Sequence, residues 1–203
     1  MIRYAITSRG LYAGDDLQRQ SALVQEATRW VREGIDFIQL REKDLPAATI
    51  AALARQILSS IAETTSPTRL IINSRADVAI ATLAHGVHLP ATFDELTPPE
   101  VRNLYAAAGL HRPIITVSCH TLEEIHNARQ NNADAILLAP VFEKSVSGRT
   151  VAPGLGLDQL RAACTAAAPV PIYALGGVTL EDAPSCLAAG AAGIAGIRVF
   201  HKN

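Results

Sequence analysis

Eight short apolar runs, each followed by a stretch with helical spacing, constrain this chain more than any other feature. They are Tyr4–Thr7, Phe37–Arg41, Arg69–Asn73, Gly86–Leu89, Pro113–Ser118, Ala133–Ala139, Ile172–Leu175 and Ala191–Arg198. Each is apolar on successive residues, the mark of a strand buried on both faces in a parallel sheet covered by helices. The helical stretches carry ordinary start and stop signals. Leu17–Glu33 ends at Gly34, and Pro46 begins a helix reaching Ala62. Thr97 and Thr121 each stand three residues before a Glu, the capping-box spacing. A short helix is expected over Asp77–Ala84, and longer ones over Leu157–Ala167 and Leu180–Ala189; Pro140–Leu155 reads as a long loop. Eight strand–helix units favour a closed (β/α)8 TIM barrel over an open doubly wound sheet. The 203 residues suit one such domain over 1–203. Only five residues follow Arg198, so the eighth helix is expected to be truncated or absent. A homodimer partner or another element would then cover that flank.

Composition narrows the class of partner. The formal charge of −1 gives no basic surface for nucleic acid. No run approaches the ~18 apolar residues of a membrane span, and the first residues read as a strand rather than a signal peptide. Cys119, Cys164 and Cys186 are odd in number and match no zinc or disulfide spacing, which points to a reducing cytoplasm. Trp30 sits in a helical pattern and reads as packing. Small molecules remain as the expected partners.

The strand ends suggest which small molecules. Gly176-Gly177 stops the seventh strand, with Thr179 at an expected N-cap and Glu181-Asp182 in the first turn. Bare backbone N–H groups at such a corner suit a phosphate. The eighth strand ends in Gly196-Ile197-Arg198, so two successive corners would face one pocket, where barrel enzymes commonly place a phosphate site. The plain alternative is that the glycines serve tight turns. Strand alternation puts Gln39, Arg41 and Lys43 on one side, suited to a diphosphate, unless the cations pair with Glu42 and Asp44 on the surface. Asn73 either meets a ligand or forms a turn. His88 and His120 can titrate near neutrality or be structural. Ser118 has no evident base and orienter, so it reads as a phosphate hydrogen bonder rather than a nucleophile.

The strings Phe37-Ile-Gln-Leu-Arg-Glu-Lys-Asp44, Leu70-Ile-Ile-Asn73, Gly86-Val-His-Leu89, Val117-Ser-Cys-His120, Pro140-Val-Phe142 and Ala174-Leu-Gly-Gly-Val178 resemble the thiamine phosphate synthase superfamily, which includes the thiazole tautomerases. The likeness runs along almost the whole chain. It implies a thiamin-biosynthesis barrel joining hydroxymethylpyrimidine diphosphate to a thiazole phosphate, with Mg2+ assisting diphosphate departure. By motif, Gln39 would contact the pyrimidine, and Arg41, Lys43, Asn73 and Ser118 the diphosphate side. Gly176, Gly177, Gly196, Ile197 and Arg198 would form the thiazole-phosphate corner. Lys43 and His120 are the catalytic candidates, with His88 and Glu143 further acid–base candidates.

Several motifs depart from the family pattern. Ser74 stands where the synthases carry a metal-binding Asp, and Asp94 is shifted from the position of the second. No metal ligand is therefore assigned, and Mg2+ is poorly provided for. Pro140 replaces the proton-transferring His of the tautomerase branch. The expected function is a thiamine phosphate synthase-like transferase. A tautomerase-like isomerase and a non-catalytic binder of thiazole or thiamin phosphate are the alternatives.

Overall fold

A computed structural model describes residues 1–91, 96–146 and 149–202 of the chain, with side chains described outside 144–152. The barrel strands are β1 (Ile2–Ile6), β2 (Phe37–Leu40), β3 (Arg69–Asn73), β4 (Gly86–Leu89), β5 (Ile114–Cys119), β6 (Ala135–Leu138), β9 (Ile172–Ala174) and β10 (Gly193–Gly196). They close in the order β1-β10-β9-β6-β5-β4-β3-β2, and every adjacent pair is parallel. The helices are α1 (Asp16–Arg32), α2 (Ala47–Thr64), α3 (Ala76–Thr82), α4 (Pro98–Ala107), α5 (Leu122–Gln130), α6 (Gly156–Ala167) and α7 (Ala183–Ala188). None of them is long and apolar enough to cross a membrane.

The continuous apolar runs serve two cores. Outward residues such as Ile38, Leu70, Ile72, Val87, Ile115 and Ile136 pack under the helices with Leu23, Trp30 and Ile57. Inward residues Tyr4, Ile6, Ala135, Leu137, Tyr173 and Ala195 form a second cluster inside the barrel. Toward the amino-terminal end of the strands, the rings of Tyr4, Phe37 and Tyr173 pack together at centroid distances of 5.5–6.1 Å, Tyr4 stacked on Phe37 and Tyr173 tilted against both.

Register then divides the interior. Ile6 lies beside Gln39, Asn73 beside His88, His88 beside Thr116, and Ser118 beside Leu137. From β2 to β5 the inward residues near the carboxyl ends are polar; through β6, β9, β10 and β1 they are apolar.

The expected boxes at Thr97 and Thr121 form: the Glu100 carboxylate accepts from the Thr97 N–H at 2.7 Å, and Glu124 from that of Thr121 at 3.2 Å. Three expectations need correction. Pro46 is the N-cap of α2 rather than its first residue. The stretch read as a loop contains a hairpin, β7 (Lys144–Val146) with β8 (Arg149–Ala152), whose feet are tied by Leu155 N–H to Pro140 O at 2.9 Å and Gly156 N–H to Val141 O at 2.9 Å. Third, α7 begins at Ala183, not Leu180. A helix from Leu180 would need the Pro184 N–H to bond the Leu180 carbonyl, and proline has none. Thr179 instead closes a turn, its N–H and hydroxyl both donating to Asp182 Oδ2, at 2.9 and 2.8 Å.

No helix follows β10 among the described residues. Residues 199–202 fold onto α1: Arg29 Nη2 and Trp30 Nε1 donate to the Phe200 carbonyl at 2.7 and 2.9 Å, and Lys202 Nζ to Glu33 at 2.6 Å. The chain's own tail is thus another element lying over that flank, one of the two covers expected. Trp30 is buried packing, as its position suggested.

Candidate functional site at the barrel mouth

Gln39 points inward from β2 and is 1% exposed. Its Nε2 donates to Asn73 Oδ1 at 2.8 Å, and Asn73 Nδ2 donates to Ser74 Oγ at 3.2 Å. Gln39 Oε1 is buried and has no hydrogen-bond partner. A buried acceptor left so costs about 1–3 kcal/mol, an expense that a ligand N–H would relieve.

Past the end of β2, side chains still alternate. Glu42 turns away from the mouth, buried, and accepts from Thr7 Oγ1 at 2.8 Å and from Arg9. Asp44 takes both Arg9 Nη atoms, at 2.7 and 2.6 Å, and this fork holds its carboxyl near a pKa of about 2. Arg41 is half-buried and Lys43 exposed. Among the described residues neither has a carboxylate partner, so Arg9, not Arg41 or Lys43, neutralises the local acids.

His88 is 5% exposed, with Nδ1 2.8 Å from Thr116 Oγ1 and Nε2 2.8 Å from Ser118 Oγ. Burial first, then the charges of Arg41 and Lys43, push its pKa down to about 3. Of the two readings offered for His88, the structural one fits: both ring nitrogens are held, and the lowered pKa favours the neutral imidazole. Ser118 thus has a ring-nitrogen partner that the sequence did not reveal. Thr116 and Tyr4, whose hydroxyls lie 3.1 Å apart, were also missed. The available signal was the period-two placement of Thr116 and Ser118 on a strand beside His88. His120 is exposed, and its Nδ1 donates to the Ala139 carbonyl at 2.6 Å. That bond fixes the tautomer and leaves Nε2 as an acceptor.

On the opposite rim, β9 and β10 are hydrogen-bonded neighbours, so their two corners emerge side by side. Gly177 and Arg198 are exposed; Gly176 and Ile197 are half-buried. Gly176 and Gly177 have φ of +87° and +67°, and a Cβ on Gly177 would lie 2.7 Å from Glu143 O and 2.8 Å from Phe142 O. Backbone from the β6–β7 connection therefore presses on this corner. The corner does not open directly onto a helix, because residues 178–182 intervene before α7. Gly196 is buried, and its missing side chain would strike Val199 Cγ1 at 2.7 Å, so it accommodates the tail.

Mg2+ requires hard oxygen donors. No group of three or more His, Cys, Asp or Glu is close enough to hold a metal among the described residues, and Asp94 lies outside them. Glu42 is held by Thr7 and Arg9, Asp77 by Arg75, and Glu124 by the backbone of His120 and Thr121. The described carboxylates do not fit a resident magnesium. A small cleft between α4 and α5, lined by Leu89, Pro98, Val117 and Asn127, lies outside the barrel behind outward-facing residues of β4 and β5.

Fold and mouth together define a (β/α)8 barrel with a cationic half-rim facing a glycine-cornered one. The chain belongs to the thiamine monophosphate synthase (TMP-TENI) family, whose model matches residues 4–200. A thiamine-phosphate synthase of Methanospirillum hungatei is 39% identical over 85% of this chain and 79% of its own. One from Shouchella clausii is 32% identical over 94% of this chain and 84% of its own. Among solved structures, a thiamine phosphate pyrophosphorylase from Pyrococcus furiosus superposes with a TM-score of 0.76 at 25% identity, covering 97% of this chain and 85% of that one.

Proposed function

We propose that this protein is a transferase of the thiamine phosphate synthase type, joining hydroxymethylpyrimidine diphosphate to a thiazole phosphate with release of diphosphate. The observation that carries the reading is the buried, unpartnered Gln39 Oε1 beside two cations that have no carboxylate partner among the described residues. An aminopyrimidine supplies the N–H that Gln39 lacks, and its diphosphate supplies the anion that Arg41 and Lys43 lack. In the reaction the bond between the methylene carbon and the diphosphate oxygen breaks, and its electron pair leaves with the diphosphate. Arg41 and Lys43, with Ser118 and Asn73, stabilise the charge developing there. The thiazole nitrogen lone pair then forms the new C–N bond. Gly176, Gly177, Ile197 and Arg198 seat the thiazole phosphate on the opposite rim and orient that nitrogen. The sequence and fold likeness to named synthases supports the same reading.

Incubation with both substrates, with and without Mg2+, tests it. Thiamin phosphate and diphosphate are expected in equal amounts; no product under either condition sinks the reading. A second reading is favoured by His120 alone, whose pinned Nδ1–H leaves Nε2 free to move a proton. It makes the protein an isomerase of a carboxythiazole phosphate, and isomerisation lost in His120→Ala is its test.

A further inference from the structure

Inside the barrel, Tyr4 Oη, Thr116 Oγ1, the His88 ring and Ser118 Oγ form one line, linked at 3.1, 2.8 and 2.8 Å. Among the described residues, the side chains of Tyr4, Thr116, His88 and Ser118 form no other hydrogen bond. Among the described residues no carboxylate touches the ring, and its burial favours the neutral form, which carries one N–H. The line therefore holds four protons, one on each group, for three contacts. One proton is left over, and where it sits fixes the direction of every bond.

If Tyr4 held the surplus proton, a fully buried phenol would have no acceptor. If Thr116 held it, a hydroxyl at 0% exposure would have none. The imidazole cannot hold it, since both ring nitrogens would then have to accept while one carries hydrogen. Only Ser118 remains, half-buried at the mouth end of the line. Tyr4 then donates to Thr116, Thr116 to His88 Nδ1, and His88 Nε2–H to Ser118. Every buried proton has an acceptor, and the Ser118 O–H points out of the network.

We infer that Tyr4, Thr116 and His88 act as positioning residues that hold Ser118 as a hydrogen-bond donor toward an anionic oxygen in the mouth. The reverse polarity would turn the Ser118 lone pairs toward the ligand and repel a diphosphate. The identity of the anion rests on the function proposed above; the direction of the relay does not.

Nitrogen-15 NMR of protein labelled in its histidine rings, with His88 assigned by its loss in His88→Gln, reads the direction without any ligand. The Nε2–H tautomer of His88 is expected, and the Nδ1–H tautomer overturns the relay. The same count leaves the surplus on Ser118 in Tyr4→Phe, so that variant should keep the Nε2–H form. Thr116→Val removes the acceptor and donor beside Nδ1, and should give a mixture of tautomers; an unchanged spectrum in folded Thr116→Val also overturns the relay. In titrations with inorganic diphosphate, Ser118→Ala should bind about 10-fold more weakly or worse, as expected for a hydrogen bond to a charged group. Undiminished binding by Ser118→Ala, with the Nε2–H tautomer present, overturns the assignment of the anion and with it the donor role, while the reaction assay judges the wider reading separately.

Discussion

The two rims of this barrel offer an anion different means of binding. From β2 to β5 the mouth is built from side chains: Gln39, Arg41, Lys43, Asn73 and Ser118, with polar groups set into the interior beneath them. At β9 and β10 it is built from backbone, with Gly176 and Gly177 in left-handed conformations and Arg198 the one cation among the assigned residues there. Side chains can concentrate charge where a leaving group develops it. Bare amides give shape and direction with little net charge, which suits a phosphate that is held but does not react. The contrast predicts that damage on one rim changes the chemical step and damage on the other changes binding.

The largest effect should follow Arg41→Ala. The substitution removes a half-buried guanidinium that no acid among the described residues neutralises, and kcat/KM for the pyrimidine diphosphate should fall by about 10²–10³-fold. The KM for the thiazole phosphate should stay within about twofold, because the seat proposed for that substrate is on the other rim. Arg198→Ala should invert the pattern, raising that KM about tenfold with little change in kcat. Steady-state kinetics with each substrate varied in turn would break the comparison if both variants gave the same profile.

Next in size is Gly177→Ala. The new Cβ would meet two backbone carbonyl oxygens within 2.8 Å at a φ of +67°. Neither oxygen belongs to a flexible side chain, so strain of about 1–3 kcal/mol is expected. In a chain of this length each kcal/mol lowers the melting temperature by about 2–4 °C. Thermal unfolding followed by circular dichroism measures it. An unchanged melting temperature with weakened thiazole-phosphate binding would place the role of Gly177 in the ligand rather than in the 142–143 contact.

What could be read from the sequence divides along the same line. Backbone features were legible because they depend on single residues: Gly176-Gly177 announced the abrupt end of a strand at a bare corner, and continuous apolar runs announced strands buried on both faces. The polar rim was legible only in part. Alternation carried Gln39, Arg41 and Lys43 to one side, but nothing local indicated that Glu42 and Asp44 would pair with Arg9, more than thirty residues earlier. The Tyr4–Thr116 contact spans 112 residues and exists only because the barrel closes β1 onto the far strands. The start of α7 at Ala183 rather than Leu180 has a local cause that a single residue carries, the missing N–H of Pro184.

A smaller effect separates the buried polar interior from the exposed rim. The folded pKa of His88, about 3, lies below the ordinary histidine value of 6.5. Between those values the unfolded chain binds the proton and the folded chain does not. Stability therefore rises with pH through that window, and His88 contributes a loss approaching about 1.4 kcal/mol for each unit the pH falls below 6.5. Urea unfolding of wild type and His88→Gln at pH 7, 5 and 4 isolates the term as a difference in slope. Parallel pH dependences would mean that His88 protonates in the folded barrel.

The smallest effect is expected at Asp44, and it probes the polar rim most sharply. Asp44 is one of two carboxylates adjacent to Lys43 in sequence, and the exposed one, so a simple ion-pair cluster would use it to neutralise the lysine. The structure gives it instead to the two Nη atoms of Arg9, on the side away from the mouth. If that division of partners sets the charge available to a diphosphate, Asp44→Asn should leave kcat/KM for the pyrimidine substrate within about twofold, as for an exposed pair screened by solvent. A gain of about tenfold would mean that Asp44 had been withholding Lys43 from the anion. Lys43→Met supplies the reciprocal measurement: it should weaken diphosphate binding equally with Asp or Asn at 44. Dependence on residue 44 would couple the two and dissolve the separation of a neutralised outer cluster from an uncompensated inner one.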